Sequence, residues 1–362
     1  MSAAIKLSII IVAYQSRSDL ERCFPSLQQQ DLHGVEIIIV NNSPQDDVEA
    51  WLRQQAYIAP DTLRYIANPS NDGYAGGNIV GLAEARGDSI LILNPDTVLS
   101  DGALARLQAC WQQHPRSLIT PKLLSPDGSI NACGLQWHYT GISSCRGLGE
   151  DAANYHGLHE VPLISGAAFM ASAEVFEELG GFDASYFMYH EDSDISLRAR
   201  LLGMPLYCAA DSLIYHYYQQ RLNANKLYYL ERNRLLTLLK VLQTSTLWRM
   251  APALLLSELA TWGYALLKGG AYLKARGRVY RFLWRERAQW QASRRLVQGS
   301  RQQPDALLLA SALSALPFEQ LIDNPKLAST LTALTTPLYQ LLRPRWWRYR
   351  RAAAASEKEL PL

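Results

Sequence analysis

Cysteine is scarce and scattered in this 362-residue chain: five residues, Cys23, Cys110, Cys133, Cys145 and Cys208, with no CxxC pair. That spacing argues against a disulfide framework and a structural zinc site, and it fits a reducing compartment. No GxxxxGK[ST] loop for a triphosphate is present, nothing is patterned as a Ser–His–Asp triad, and no recognised nucleic-acid-binding motif appears. No internal repeat or low-complexity tract precedes the Ala352–Ala355 run. The apolar run Leu7–Tyr14 is short for a signal peptide and lacks a small-residue cleavage site, so it is expected to be a buried strand. With 48% hydrophobic and 19% charged residues, the chain is neither disordered nor fibrous. At roughly 100–200 residues per domain, two folded units are expected.

The net charge of +2 hides an asymmetry. Residues 1–240 hold 17 Lys and Arg against 26 Asp and Glu, a net of −9, and residues 241–362 hold 18 against 7, a net of +11. Six of the nine Trp lie in that basic third: Trp248, Trp262, Trp284, Trp290, Trp346 and Trp347. Such a region is built to meet a polyanion or an anionic membrane.

The first 240 residues alternate strands with helices. Leu7–Ala13 (LSIIIVA) and Val35–Val40 (VEIIIV) are continuous β-branched runs, as in parallel strands covered on both faces. Leu63–Ala67, Ser89–Leu93 and Ser165–Ala171 read as further strands. Helices are expected from a Ser18/Glu21 capping box to about Gln30, near Val48–Gln55, from the Gly-rich turn Asn71–Asn78 through Ala85, and over Asp192–Leu202 and Lys226–Leu242. A turn at Pro126–Gly128 reads as a hairpin, and short strands are expected at Leu206–Ala209 and Leu213–His216. Residues 134–160 have no clear period and are expected as a long loop over the carboxyl edge of the sheet. The alternation predicts an α/β, doubly wound, mostly parallel sheet, with a boundary near residue 241.

Two acidic segments carry the candidate chemistry. Asp96, in Asn94-Pro95-Asp96, follows a strand, where open α/β sheets bind ligands and where an acid can hold a divalent cation against a diphosphate; Asn-Pro-Asp is equally good turn chemistry. Glu191, Asp192 and Asp194 crowd a helix start. Acids favour that end of a helix, and Asp194 with Arg198 reads as a surface pair, but three adjacent carboxylates repel unless a cation or proton relieves them. One carboxylate facing a hydroxyl can act as a general base. His216, ending a short strand, suits either a structural role or a third ligand beside carboxylates.

Five ordered segments together resemble the family 2 inverting glycosyltransferases of the GT-A fold, and most of all their bacterial rhamnosyltransferase-like branch. The segments are LSIIIVAYQS, VEIIIVNNS, NDGYAGGNIVGLAEARGDSILILNPDT, the SGAAFM…GGFD stretch and YHEDSDISLRAR, covering residues 7 to about 240. The resemblance implies a GT-A catalytic domain over residues 1–240 and the transfer of a sugar, rhamnose from dTDP-rhamnose, to a lipid-linked glycan acceptor in surface polysaccharide synthesis. By the same likeness Ala13 and Tyr14 match positions that contact the nucleotide base, and Asn41 matches a base-binding position that is usually Asp. Asn71, Gly73, Gly77 and Asn78 match the turn that approaches the nucleotide and ribose. Asn94 and Asp96 match the metal motif, with Asp96 the direct ligand of Mg²⁺ or Mn²⁺, and His216 matches a His that some members use as a further ligand. Asp192 matches the catalytic base, with Glu191 supporting it. A catalytically dead glycan-binding scaffold and a nucleotidyltransferase are the rival readings; retention of Asp96 and Asp192 argues against the first, and the basic-poor GYAGG turn against the second.

Residues 241–362 are expected to be a helical, membrane-associating region. Ala251–Leu273 is the longest apolar stretch, but it contains Glu258 and Lys268, which makes spanning second best. The following segment, Lys274–Arg295, interleaves Arg with Trp, Phe and Tyr, as in a helix lying in the membrane interface, with Arg276, Arg278, Arg281 and Arg285 expected to face the lipid. Arg343–Arg351 repeats this composition. The expected location is the cytoplasmic face of the bacterial inner membrane, with an anionic surface as partner and no nucleic acid.

Overall fold

The computed structural model describes residues 5–55, 62–218, 222–321 and 324–344. The chain divides into two compact units. One comprises Met1–Gly134, Cys145–Ser196 and Met204–Gln219, and the other Leu135–Ser144, Leu197–Gly203 and Gln220–Leu362.

The strands are β1 (Leu7–Ala13), β2 (Val35–Asn41), β3 (Leu63–Ala67), β4 (Ser89–Leu93), β5 (Thr97–Leu99), β6 (Leu118–Leu124), β7 (Ile130–Ala132), β8 (Leu135–Trp137), β9 (Ser143–Cys145), β10 (Leu158–Glu160), β11 (Ala168–Ser172) and β12 (Leu206–His216). Ten of them form one sheet in the order β10-β12-β6-β11-β4-β1-β2-β3, with β5 on β12 and β7 on β6. The β4-β1-β2-β3 half is parallel, and β11 runs antiparallel between β4 and β6. The first unit carries α1 (Arg17–Gln28), α2 (Val48–Gln54), α3 (Gly73–Glu84), α4 (Ala103–Gln113) and α5 (Ala173–Leu179), and α6 (Glu191–Leu201) begins in it. This is the expected α/β, GT-A-like architecture followed by a helical region; the sheet is mixed rather than mostly parallel, because β5, β7, β10 and β11 all pair antiparallel. Every residue of β1 and β2 is buried, which is why neither alternates apolar with polar. The one acid in that layer, Glu36, accepts from Ser8 Oγ at 2.6 Å and from Arg86 N and Nε at 2.7 and 2.8 Å.

Several local expectations are corrected. Helix α1 starts at Arg17, so Ser18 lies inside it, and Glu21 bonds Arg17 Nε rather than closing a capping box. The two short strands near residue 210 are one strand, β12, with an irregularity between Ala209 and Leu213. Residues 134–160 are not a plain loop: they hold β8 paired with β9, and β10, which extends the sheet. Asp194 is 1% exposed and accepts from the Tyr186 hydroxyl, and Arg198 is buried as well, so neither belongs to a surface pair.

The longest segment of the second unit, Gln220–Leu362, includes helix α7 (Ala224–Val241). With it go α8 (Thr244–Lys268), α9 (Gly270–Arg285), α10 (Arg287–Ser300), α11 (Asp305–Ala310) and α12 (Pro325–Leu342). Three buried charges, Glu231, Arg234 and Arg276, and the partly exposed Glu258 join α7, α8 and α9. Arg234 bonds Glu231 at 2.8 Å and Glu258 at 2.5 Å, while Arg276 bonds Glu231 at 2.5 Å and also reaches Glu258. Arg276 is 0% exposed, so it is a core residue and not a lipid-facing one. The run Arg345–Arg351 lies outside the described residues. Arg276→Gln leaves two carboxylates to one guanidinium in a buried site, and it should cost on the order of 3–5 kcal/mol. Urea unfolding followed by tryptophan fluorescence measures this; a loss under about 1 kcal/mol, the scale of an exposed pair, would refute the network's role.

Candidate active site

Asp96 sits in the short turn between β4 and β5. The antiparallel pairing of β5 with β12 sets Thr97 opposite His216, and Tyr217 N donates to Asp96 O at 2.9 Å. His216 Nε2 thereby comes 3.4 Å from Asp96 Oδ1. Among the described residues neither of these two atoms has a hydrogen-bond partner, and neither does the buried Asn94 Oδ1. On the far side of the ring, His216 Nδ1 lies 3.1 Å from Asn131 Oδ1. With that oxygen accepting, Nδ1 carries the proton and Nε2 keeps its lone pair toward Asp96. Buried polar atoms normally find partners, so an orphaned oxygen and an orphaned nitrogen facing each other across 3.4 Å fit a divalent cation. Among the described residues, no group of three or more His, Cys, Asp and Glu is arranged to hold a metal, so the protein offers this pair and not a full cage.

The second carboxylate centre is the start of α6. The chain reaches it through Phe187, Tyr189 and His190, all at positive φ (61°, 67° and 66°), a conformation costing about 1–3 kcal/mol for each non-glycine residue. The segment is tied to the start of α3: Ala75 N donates to Phe187 O at 3.1 Å, and a Cβ on Gly73 would lie 2.3 Å from that same oxygen. Only glycine at position 73, itself at φ +71°, permits the approach. Asp192 Oδ2 accepts from Gly166 N at 3.1 Å, and its Oδ1 from Ser193 N at 2.6 Å. The Gly166 carbonyl accepts from the Tyr74 hydroxyl at 2.5 Å, so one residue, through both of its backbone polar groups, links α3 to Asp192.

Burial raises the Asp192 carboxyl above the usual aspartate range, opposed by the backbone N–H groups of Gly166 and Ser193. Glu191, also buried and beside the Asp192 charge, is pushed up to about 8. Among the described residues, its Oε2 has no hydrogen-bond partner. Near neutral pH Asp192 therefore holds the charge and Glu191 the proton. The raised Glu191 value makes a stability prediction. Below its ordinary value of 4.5 both folded and unfolded chains bind the proton; above it the unfolded chain releases the proton first, so stability falls as pH rises from there to about 8. Glu191→Gln should melt several degrees above the parent at pH 8 and together with it at pH 4, by calorimetry; an unchanged difference across that range contradicts the assignment.

The nucleotide-matched positions divide. Ala13 ends β1 in register with Asn41 of β2, and Tyr14 beyond it is half exposed. The Asn41 side chain is fully buried: its Nδ2 donates to Asp46 Oδ1 at 2.8 Å and to Tyr65 OH at 3.2 Å, and its Oδ1 accepts from Ser43 N and Oγ. Asn41 thus shapes the loop after β2. Asn71 Oδ1 accepts from Gly73 N at 3.0 Å and sets the turn into α3. Gly77 is a packing glycine, since a Cβ there would lie 2.5 Å from Val12 Cγ1 of β1. Asn78 is buried and donates to Tyr74 O at 2.9 Å.

Asn42, Asn68, Tyr74, Asn131, Gly166 and Phe187 were missed at the sequence level. Asn42 donates to Gly73 O at 2.8 Å and accepts from Asn68, which also reaches Asp72. None of these residues has a chemistry that stands out by type; each acts through a contact that only the fold creates.

The mixed α/β sheet thus carries a carboxylate–imidazole pair after one strand and a second carboxylate at a helix start. Residues 8–180 match the model of glycosyl transferase family 2, and the chain carries a domain of that family. The chain is 31% identical over 204 residues to the low-salt glycan biosynthesis hexosyltransferase Agl10 of Haloferax volcanii, the match covering 54% of this chain and 61% of that protein. It is 25% identical over 236 residues to the N-acetylglucosaminyl-diphospho-decaprenol L-rhamnosyltransferase of Mycobacterium tuberculosis, covering 58% and 76%. The chain thus spans less than two thirds of the Haloferax relative. Among solved structures, S. aureus TarS 1–349 in complex with UDP-GlcNAc superposes with a TM-score of 0.54 over 96% of this chain and 92% of that one; at 15% identity this is a likeness of fold.

Proposed function

We propose that this protein is an inverting glycosyltransferase that moves a sugar, with rhamnose from dTDP-rhamnose the favoured donor, onto a lipid-linked glycan acceptor in bacterial surface polysaccharide synthesis. The observation that carries this reading is the presence, in one unit, of the oriented Asp192 carboxylate and the unsatisfied Asp96–His216 pair. The lipid-linked acceptor and the rhamnose donor are supported by the name of the Mycobacterium relative.

Inverting transfer is one in-line displacement at the anomeric carbon, so it needs a base for the acceptor hydroxyl and no enzyme nucleophile. Asp192 takes the proton, its carboxylate aimed by the Gly166 and Ser193 N–H groups. Glu191, holding its own proton, keeps a second negative charge from competing with it. Asp96 and His216 would hold Mg²⁺ or Mn²⁺, with Asn94 in the same turn as Asp96. When bound, that cation neutralises the charge developing on the leaving diphosphate. Ala13, Tyr14, Asn71, Gly73 and Asn78 line the approach of the nucleotide, and Asn41 and Gly77 support it from within. Residues 241–362 bring the catalytic domain to the cytoplasmic face of the membrane, where the acceptor's lipid is held.

A panel of nucleotide sugars with Mn²⁺, scored for hydrolysis and for a shift in melting temperature, tests this. dTDP-rhamnose is expected to be turned over fastest. The absence of both hydrolysis and a melting shift with every sugar tried would overturn the reading.

A further inference from the structure

Helix α8 is the one described helix long and apolar enough to cross a membrane, yet it carries Glu258 at its middle. Its exposed and buried faces account for both properties. Trp248, Leu255, Leu259 and Leu266 are 76, 61, 62 and 67% exposed, at positions i, i+7, i+11 and i+18. At 3.6 residues per turn these fall on a single line about 27 Å long. Pro252 and Gly263, also exposed, lie close to the same line, so the stripe bears no charge. Thr246, Met250, Ala253 and Ser257 are buried on the other side, and Glu258 turns inward to Arg234 and Arg276. Helix α12, whose buried Tyr339 hydroxyl meets Ser257 Oγ at 2.9 Å, repeats the device. Its Leu327, Leu334, Leu338 and Leu341 are exposed at i, i+7, i+11 and i+14, with no charged residue between Lys326 and Arg343. Single exposed leucines are ordinary; two such stripes on one small unit are a docking surface.

We propose that these two stripes seat the protein on an anionic bilayer, with α8 lying in the interface and not crossing it. The inference deepens the membrane partner named in the proposed function and rests on that reading. Charge selects the occupant. Arg249 adjoins Trp248, Lys268 ends α8, and Arg281, Arg285 and Arg287 are exposed on the following helices, in a segment of net charge +11. A second copy would bring the same positive charge, whereas anionic headgroups complement it. Crossing is opposed by Glu258, because a spanning α8 would abandon the buried ion network and strand Arg234 and Arg276 without that partner.

The test uses the full chain and vesicles of phosphatidylglycerol and phosphatidylethanolamine. The parent should sediment with the vesicles and be released by alkaline carbonate. Leu255→Glu with Leu259→Glu should lower the partition coefficient on the order of tenfold or more. Ala260→Glu, an equal charge at an exposed position off the stripe, should change it by less than about twofold. Hydrolysis of a soluble nucleotide sugar should be equal in all three, which separates loss of docking from loss of fold or of the glycosyltransferase reading. Independently, bromine-labelled lipid chains should quench the parent's tryptophan fluorescence, and the mild change Trp248→Phe should reduce that quenching. The proposal is overturned if the parent ignores the vesicles, if the double variant binds as tightly as the parent, if carbonate fails to release the protein, if Trp248→Phe leaves the quenching unchanged, or if ultracentrifugation finds a dimer that the double variant dissociates.

Discussion

Asp192→Asn should lose roughly 10²–10⁴-fold in transfer rate, the usual contribution of a general base, while donor binding stays within a few-fold of the parent. The amide keeps the size of the carboxylate but cannot take a proton from the acceptor hydroxyl. It also presents an NH₂ to one of two N–H donors, Gly166 or Ser193, where the carboxylate accepted from both. That mismatch turns the side chain as well as disarming it, so the loss belongs at the upper end of the range. Turnover with saturating donor and acceptor, beside calorimetric titration of the nucleoside diphosphate, separates the two effects. Near-parental turnover would move the base to another group, with Glu191 next in line; since Glu191 is held protonated to about pH 8, activity carried by it would rise steeply toward that pH.

Asp96→Ala should remove the metal-supported part of donor binding and lower turnover on the order of 10²–10⁴-fold, because neutralising a leaving diphosphate is typically worth several kcal/mol. Its Oδ1 is one of two unsatisfied atoms facing each other across 3.4 Å, and the variant leaves only His216 Nε2. Mn²⁺ binding, titrated in the presence of a nucleoside diphosphate and without any turnover, should weaken in the same variant. His216→Ala should act in the same direction and less severely, since an anion attracts the cation more strongly than an imidazole does. EDTA should reproduce the Asp96→Ala phenotype in the parent. Full activity in EDTA would return Asp96 to the turn chemistry that its Asn-Pro-Asp setting also satisfies.

Much of the framework was legible in the residues alone because it depends on local chemistry. LSIIIVA and VEIIIVN have no polar alternation, so they can only be strands covered on both faces, and they form the centre of the sheet. An acid just past the SILIL strand and a second acidic segment at a helix start were visible as types in positions. The long apolar stretch was visible too, but composition counts residues without assigning them to faces. It took the packing to turn Glu258 and Arg276 inward as partners and to leave Trp248, Leu255, Leu259 and Leu266 outside.

What tertiary structure alone decided is which distant groups meet, and with what charge. Thr97–Leu99 is too short to announce itself as a strand, yet its pairing with β12 carries His216 to Asp96. Gly166 and Tyr74 have no functional signature, yet together they orient Asp192. Glu191 and Asp192 are neighbours of nearly equal intrinsic acidity, and no sequence rule separates them. Burial raises both, and the donors on Asp192 then leave the charge there and the proton on Glu191. Hydrophobic pattern is a property of a segment and survives in one dimension; hydrogen-bond partnership and desolvation are properties of a neighbourhood, and the neighbourhood comes into being only when the sheet closes.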